Sequence, residues 1–352
     1  MKALILYSRV MPYTIEALKT LIKETALDIH LVHYAISKDA PYQLPELDGL
    51  ITYDEDSMSL SQIKGLLATN DFKFLFVSGW SNKKYLEISK TAKKNNVPVI
   101  SGCDTQWRGD FRQIIAVVFS KFLIRKYFDF LMVPGTKQYE YGRLLGFKKH
   151  SILMPLYTAD VSLFSEGYHS SFRAKQNKYP RNILFVGRFE KVKGINLLLD
   201  AFNSIKDKKG WTLTLIGNGS LKNDIIEQTN SDNSIIIKGF LQPEELVKEI
   251  SNAGAFCLPS NYEPWGVVLQ EFATAGLPII ASSTCGANVS FVRENYNGYT
   301  FKNKKASDLQ LKIEKLISLD DTELQLFSKR SHGLGNSITS EQFASNFFQF
   351  LE

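Results

Sequence analysis

The chain has 352 residues, 44% of them hydrophobic and 22% charged, with a formal net charge of +6. With a mean hydropathy of −0.13, it is too apolar for a disordered chain and too polar for an integral membrane protein, and its length suits two domains with their own cores. Three scattered cysteines (Cys103, Cys257, Cys285) without a CxxC pair argue against a disulfide framework or a zinc site, and the five histidines lack ligand spacing. No apolar run approaches the roughly 18 residues of a bilayer span, and the start shows no secretory-signal pattern, so a cytoplasmic location is expected. The mild basic excess fits an anionic ligand or a membrane surface better than nucleic acid.

Short β-branched and aromatic runs alternate with helical periodicity, which predicts βα units and parallel sheets. Strands are expected at residues 3–7, 28–33, 49–52, 74–77, 97–101, 130–133 and 151–154, with helices such as 14–25 and 83–95 between them. The polar stretch from Tyr168 to Pro180 reads as an exposed linker. A second series follows, with strands at 182–186, 212–216, 235–237, 255–258 and 278–281 and helices at 195–205, 221–228, 243–251 and 268–274. Near the end, Thr339 and Gln342 have capping-box spacing and Phe343, Phe347 and Phe350 fall on one helix face. The expected division is 1–170, 171–336 and a closing helix, 337–352, that crosses back to the first domain.

Two strand-to-helix junctions carry chemistry. In Val186-Gly187-Arg188-Phe189-Glu190-Lys191-Val192-Lys193-Gly194, Gly187 permits a tight turn, Arg188 offers a fork matched to phosphate oxygens, and Lys193 adds a charge near a helix N-terminus. Taken alone, the segment reads equally as a diphosphate clamp or a solvated basic loop. In the second junction, Pro259 to Glu271, Glu263 and Glu271 straddle a Pro264-Trp265-Gly266 turn, so both can face a crevice at the sheet edge. There they would accept hydroxyl hydrogen bonds while backbone N–H groups after Gly266 meet anionic oxygen; the competing reading is a turn residue and a solvated helix position.

These segments, with Gly217-Asn218-Gly219, Lys238-Gly239-Phe240, Ser283-Thr284-Cys285-Gly286-Ala287 and Asn297-Gly298-Tyr299, resemble the donor-binding domain of retaining glycosyltransferases of family 4, over about residues 182–300. The resemblance implies the GT-B architecture, two Rossmann-like doubly wound domains facing a cleft. It implies that Arg188 and Lys193 neutralise a nucleotide diphosphate, that Glu271 binds ribose hydroxyls and that Glu263 contacts the donor sugar. The backbone at Gly266, Val267 and Val268 would hold sugar or phosphate, and Gly239, Phe240 and Leu241 would border the base.

The first domain departs from the pattern. Its first loop, Ser8-Arg9-Val10-Met11-Pro12-Tyr13, lacks the usual glycines, and no histidine follows the strand at 97–101. Asp104 becomes the leading polar group there, reading equally as a catalytic or sugar-binding carboxylate and as the cap of the following helix. Arg108 and Arg112 read as acceptor-side or membrane-side cations, or as a solvated helix face. Asp54-Glu55-Asp56 has the look of a metal-binding DxD, but an acidic surface loop is favoured, and neither metal nor cofactor is expected. Residues 111–128 combine Phe119, Phe122, Leu123 and Ile124 with Lys121, Arg125 and Lys126; a membrane-interface helix is one reading and a buried helix with snorkelling basic ends the favoured one. The expected activity is retaining transfer of a sugar from a UDP- or GDP-sugar to a glycan or lipid-linked acceptor. The setting suggested by family habit is bacterial surface polysaccharide or lipopolysaccharide synthesis at the inner membrane face. A nucleotide-sugar epimerase and a non-catalytic binding module are the rivals.

Overall fold

The computed structural model describes residues 1–34, 44–230 and 232–351. They form two compact units, Met1–Thr158 with Ile338–Glu352, and Ala159–Ser337. The first holds β1 (Lys2–Tyr7), β2 (Asp28–His33), β3 (Leu50–Asp54), β4 (Phe72–Val77), β5 (Val99–Gly102), β6 (Phe130–Met132) and β7 (Ile152–Leu153). They make a parallel sheet in the order β3-β2-β1-β4-β5-β6-β7. The second holds β8 (Asn182–Val186), β9 (Thr212–Ile216), β10 (Ile235–Lys238), β11 (Ala255–Leu258), β12 (Ile279–Ser282) and β13 (Gly298–Phe301). Its parallel order is β10-β9-β8-β11-β12-β13.

Helices cover both faces of these sheets, so the central strands read as continuous apolar runs such as Ala3-Leu4-Ile5-Leu6 rather than alternating ones. In the second unit Ile183, Phe185 and Leu213 of the sheet pack with Leu198 and Phe202 of the helix Ile195–Asn203 and with Trp211. In the first unit the C-terminal segment completes one face: Phe347 stacks on Phe74 at 4.9 Å between ring centres, and Phe350 meets Phe130 at 4.9 Å. The short helix Ser340–Ser345 leads into it, opened by the expected capping box of Thr339 and Gln342.

Three expectations are corrected. The stretch read as a linker lies mostly within a 17-residue helix, Val161–Asn177, so the compact units divide at Thr158 and Ala159, ahead of the expected residue 170. Asp160 caps that helix by accepting from Leu163 N at 2.9 Å, and its buried positions, Phe164, Gly167, Tyr168, Ser171 and Lys175, keep helical spacing. Small and polar residues occupy most of that stripe, which hides it from a hydrophobic pattern. Strand β13 was not expected because it starts with glycine. At Gly298 a Cβ would sit 1.9 Å from the Ile279 carbonyl oxygen, so strand contact there excludes any residue with strand propensity. Finally, residues 111–128 are not a buried helix. They form Phe111–Val118 and Ser120–Leu123, with most of the large apolar side chains of these two helices in solvent, while Ile124, Tyr127 and Phe128 beyond them are buried as expected.

Candidate functional site

In the second sheet the chain runs from β8 outward to β9 and β10, then returns to the other side of β8 for β11. This is a topological switch point, where connections leave in opposite directions and open a crevice beyond the carboxyl ends of the strands. The loops there are 187–194 after β8 and 259–266 after β11. Asn261 ties them together: its N–H donates to Val192 O at 2.8 Å and its side chain to Lys191 O at 2.8 Å. Gly194 lies at φ +69°, and a Cβ there would stand 2.2 Å from the Pro259 carbonyl oxygen, so only glycine allows this approach.

Lys193 Nζ stands 2.5 Å from Glu263 Oε2, with both side chains more than four-fifths covered. Ser260 Oγ donates to the same carboxylate oxygen at 3.2 Å. The Glu263 backbone is held by Gly286 N at 3.1 Å, and buried Trp265 by Ala287 N at 3.0 Å. Gly266 then turns at φ +98° into the helix Val267–Thr274, and a Cβ on it would meet Glu263 Cγ at 2.9 Å. The N–H groups of Val267 and Val268 thus open a helix beside an ion pair, where backbone donors and dipole favour anionic oxygen.

Arg188 is exposed at the end of β8, following Gly187, while its neighbour Phe189 is buried and its N–H donates to Asn218 O at 2.7 Å. Hydrogen bonds from Ser220 N and Oγ, and then the Arg188 charge, hold the Glu190 carboxyl below its usual range. After β10, Gly239 faces open space, Phe240 is exposed and Leu241 is half-buried; Gly217 N donates to Lys238 O, joining this loop to the end of β9.

Glu271 departs from a solvated helix position. Burial first, and the nearby Asp160 carboxylate second, push its carboxyl up to about 7. Its neighbour Gln270 is fully buried and anchors the helix, accepting from Ala159 N at 2.9 Å and donating to Gly335 O at 3.1 Å. Ser260, Asn261 and Gln270 drew no attention in the sequence, because short polar side chains acquire a positioning role only from contacts distant along the chain.

In the first unit Asp104 follows β5 and accepts from Tyr157 Oη at 3.4 Å, with Tyr157 edge-on to Tyr13. It does not cap the next helix: Asp110 does, accepting from Gln113 N at 3.0 Å. Arg108 pairs with Asp110 at 2.8 Å, and Arg112 is exposed. Asp54 caps the turn Glu55–Ser57, and Glu55 is ion-paired with Lys84 at 2.9 Å. This unit has its own switch point between β1 and β4, where Ser8 and Ser78 hydroxyls meet at 3.1 Å.

Two doubly wound parallel-sheet units in one chain define a protein of the GT-B fold. Residues 169–331, inside the second unit, match the family described as Glycosyl transferases group 1. Over 150 residues the chain is 33% identical to a glycogen synthase of Mycobacterium tuberculosis, a match covering 40% of this chain and 35% of that protein. The chain thus spans about 35% of the length of the curated relatives it first matches. Among solved structures, sucrose-phosphate synthase of Thermosynechococcus elongatus superposes with a TM-score of 0.74 at 16% identity, over 99% of this chain and 98% of that one. HepE of Anabaena in complex with UDP-glucose superposes with a TM-score of 0.73 at 14% identity, over 99% of both chains.

Proposed function

We propose that the protein is a glycosyltransferase that moves a sugar from a UDP- or GDP-sugar to a hydroxyl of a glycan or lipid-linked acceptor, with retention of configuration and without a metal. The observation that carries this reading is the covered Lys193–Glu263 pair at the head of the helix Val267–Thr274, on a switch point it shares with Arg188. The family match over the same unit and the UDP-glucose complex of HepE, of the same fold, support a nucleotide-sugar donor.

Departure of the diphosphate is the demanding step. Lys193, Arg188 and the N–H groups of Val267 and Val268 would stabilise its growing charge, while Glu263, held by Ser260 and Lys193, accepts hydrogen bonds from sugar hydroxyls. Glu271 would take the ribose hydroxyls, and the exposed Phe240, with Gly239 and Leu241, would border the base. The leaving phosphate oxygen then takes the acceptor proton on the face it has left, so that the new bond forms with retention and no protein nucleophile is needed. Asp104 would serve the acceptor or donor-sugar side, and surface polysaccharide assembly at a membrane face, with peripheral attachment of the enzyme, is the setting that the family resemblance suggests.

Donor-dependent transfer by folded Glu263→Ala, Arg188→Ala and Lys193→Ala variants checks the assignment. Each should lose roughly a hundredfold or more in rate, the scale of a removed transition-state donor; unchanged rates would overturn the roles. Donor turnover without acceptor would point to an epimerase instead.

A further inference from the structure

The helix Phe111–Val118 and the turn Ser120–Leu123 leave most of their large apolar side chains in solvent. Toward the body of the unit, part-buried Ala116 and Val117 pack against the core beside polar groups: Gln113 donates to Gln106 O at 2.6 Å and accepts from Arg108 N at 2.7 Å, and Ser120 donates to Leu145 O at 2.7 Å. Away from it stand Phe111 at 75% exposure, Val118 at 67%, Phe122 at 64% and Phe119 at 51%, with Ile114 and Leu123 close behind. Such a contiguous apolar face marks a surface made to be covered.

Its surroundings say by what. Residues 108–126 hold five basic side chains and one acidic one. Beside the turn opens a hollow of about 510 Å³ lined by Lys121, Arg125, Lys126, Lys148 and His150. Among the described lining residues the one carboxylate, Asp129, is already engaged by Lys93 at 2.6 Å and by Val99 N at 3.0 Å. Among the described residues, Lys121, Arg125, Lys126 and Lys148 form no ion pair. A second copy of the chain is a poor occupant, since a two-fold contact would set each cluster of cations against itself. No described helix is long and apolar enough to cross a membrane, but an apolar face rimmed by cations suits one that lies in a lipid interface.

We propose that this face docks on an anionic phospholipid bilayer, with the Phe111, Phe119 and Phe122 rings entering the interface and the basic hollow receiving lipid phosphates. This gives the peripheral attachment in the functional reading above a specific surface, and rests on that reading only for its biological purpose. Sedimentation of the full chain with phosphatidylcholine vesicles, with and without a third of phosphatidylglycerol, tests it without donor or acceptor, so failure here leaves the transfer reading standing. The wild type should pellet with the anionic vesicles. It should also shift Trp107 emission to the blue, because that indole is exposed next to the helix. A Phe119→Ser/Phe122→Ser variant should lose about tenfold or more in partitioning. A Lys121→Gln/Arg125→Gln/Lys126→Gln variant should lose the preference for anionic lipid. These side chains are exposed, so unchanged thermal midpoints certify the fold. Wild type left in the supernatant, or variants that partition like wild type, would overturn the proposal. So would concentration-dependent dimers abolished by the phenylalanine changes without vesicle binding.

Discussion

Replacing Glu271 with glutamine should remove a pH dependence from donor binding as well as weakening it. In the unliganded protein, burial and Asp160 push this carboxyl up to about 7. Ribose hydroxyls donate hydrogen bonds, so a site that uses Glu271 to accept them binds best when it is ionised. With a pKa of about 7, the ionised fraction rises from about one tenth at pH 6 to about nine tenths at pH 8, so affinity should rise about tenfold, or about 1.4 kcal/mol. Stability runs the other way. A carboxyl whose folded pKa is raised contributes stability at acid pH that is lost as pH climbs through 7, so the same residue favours the fold in acid and the ligand in base. Titration calorimetry with UDP-glucose and GDP-mannose across pH 6–8 reads the effect, because nucleotide sugars carry no phosphate proton that ionises there. At pH 7, binding should release about half a proton, seen as a dependence of the observed heat on buffer ionisation enthalpy. Asp160→Asn, which keeps a capping side chain, should shift the midpoint toward acid. A flat wild-type profile, or an equal slope in Glu271→Gln, would refute the reasoning.

Two further outcomes test the packing. Phe347→Ala removes a side chain that is 1% exposed and stacked on Phe74, and should cost about 3–5 kcal/mol in denaturant unfolding of the first unit; a change under about 1 kcal/mol would mean that the C-terminal segment is not part of this core. Lys175 is 4% exposed, its Nζ has no hydrogen-bond partner among the described residues, and burial lowers its pKa to about 7. Its folded form resists protonation, so stability falls as pH drops from the usual lysine range toward 7. Lys175→Met should therefore stabilise the protein by up to about 4 kcal/mol at pH 7 and flatten this dependence, as followed by thermal midpoints between pH 7 and 10.

The sequence by itself determined most of the strands and located both candidate junctions at strand ends, because short apolar runs bounded by Gly, Pro and Asn reflect local burial and local turn chemistry. β2, β8, β9 and β11 match their expected limits. The Gly187 to Lys193 and Glu263 to Glu271 segments stood out by residue type and spacing along one chain, and the family resemblance chose between the readings that each left open. The tertiary structure decided what depended on residues remote in sequence. Gly194 against Pro259 and Asn261 against Val192 bring the two loops together and place Lys193 on Glu263. Asp160, 111 positions before Glu271, helps to hold that carboxyl's proton near neutrality. The helix Val161–Asn177 was hidden because its buried stripe is largely small and polar. The apolar face of residues 111–123 read as core, because composition shows how apolar a segment is and only packing shows which way it points.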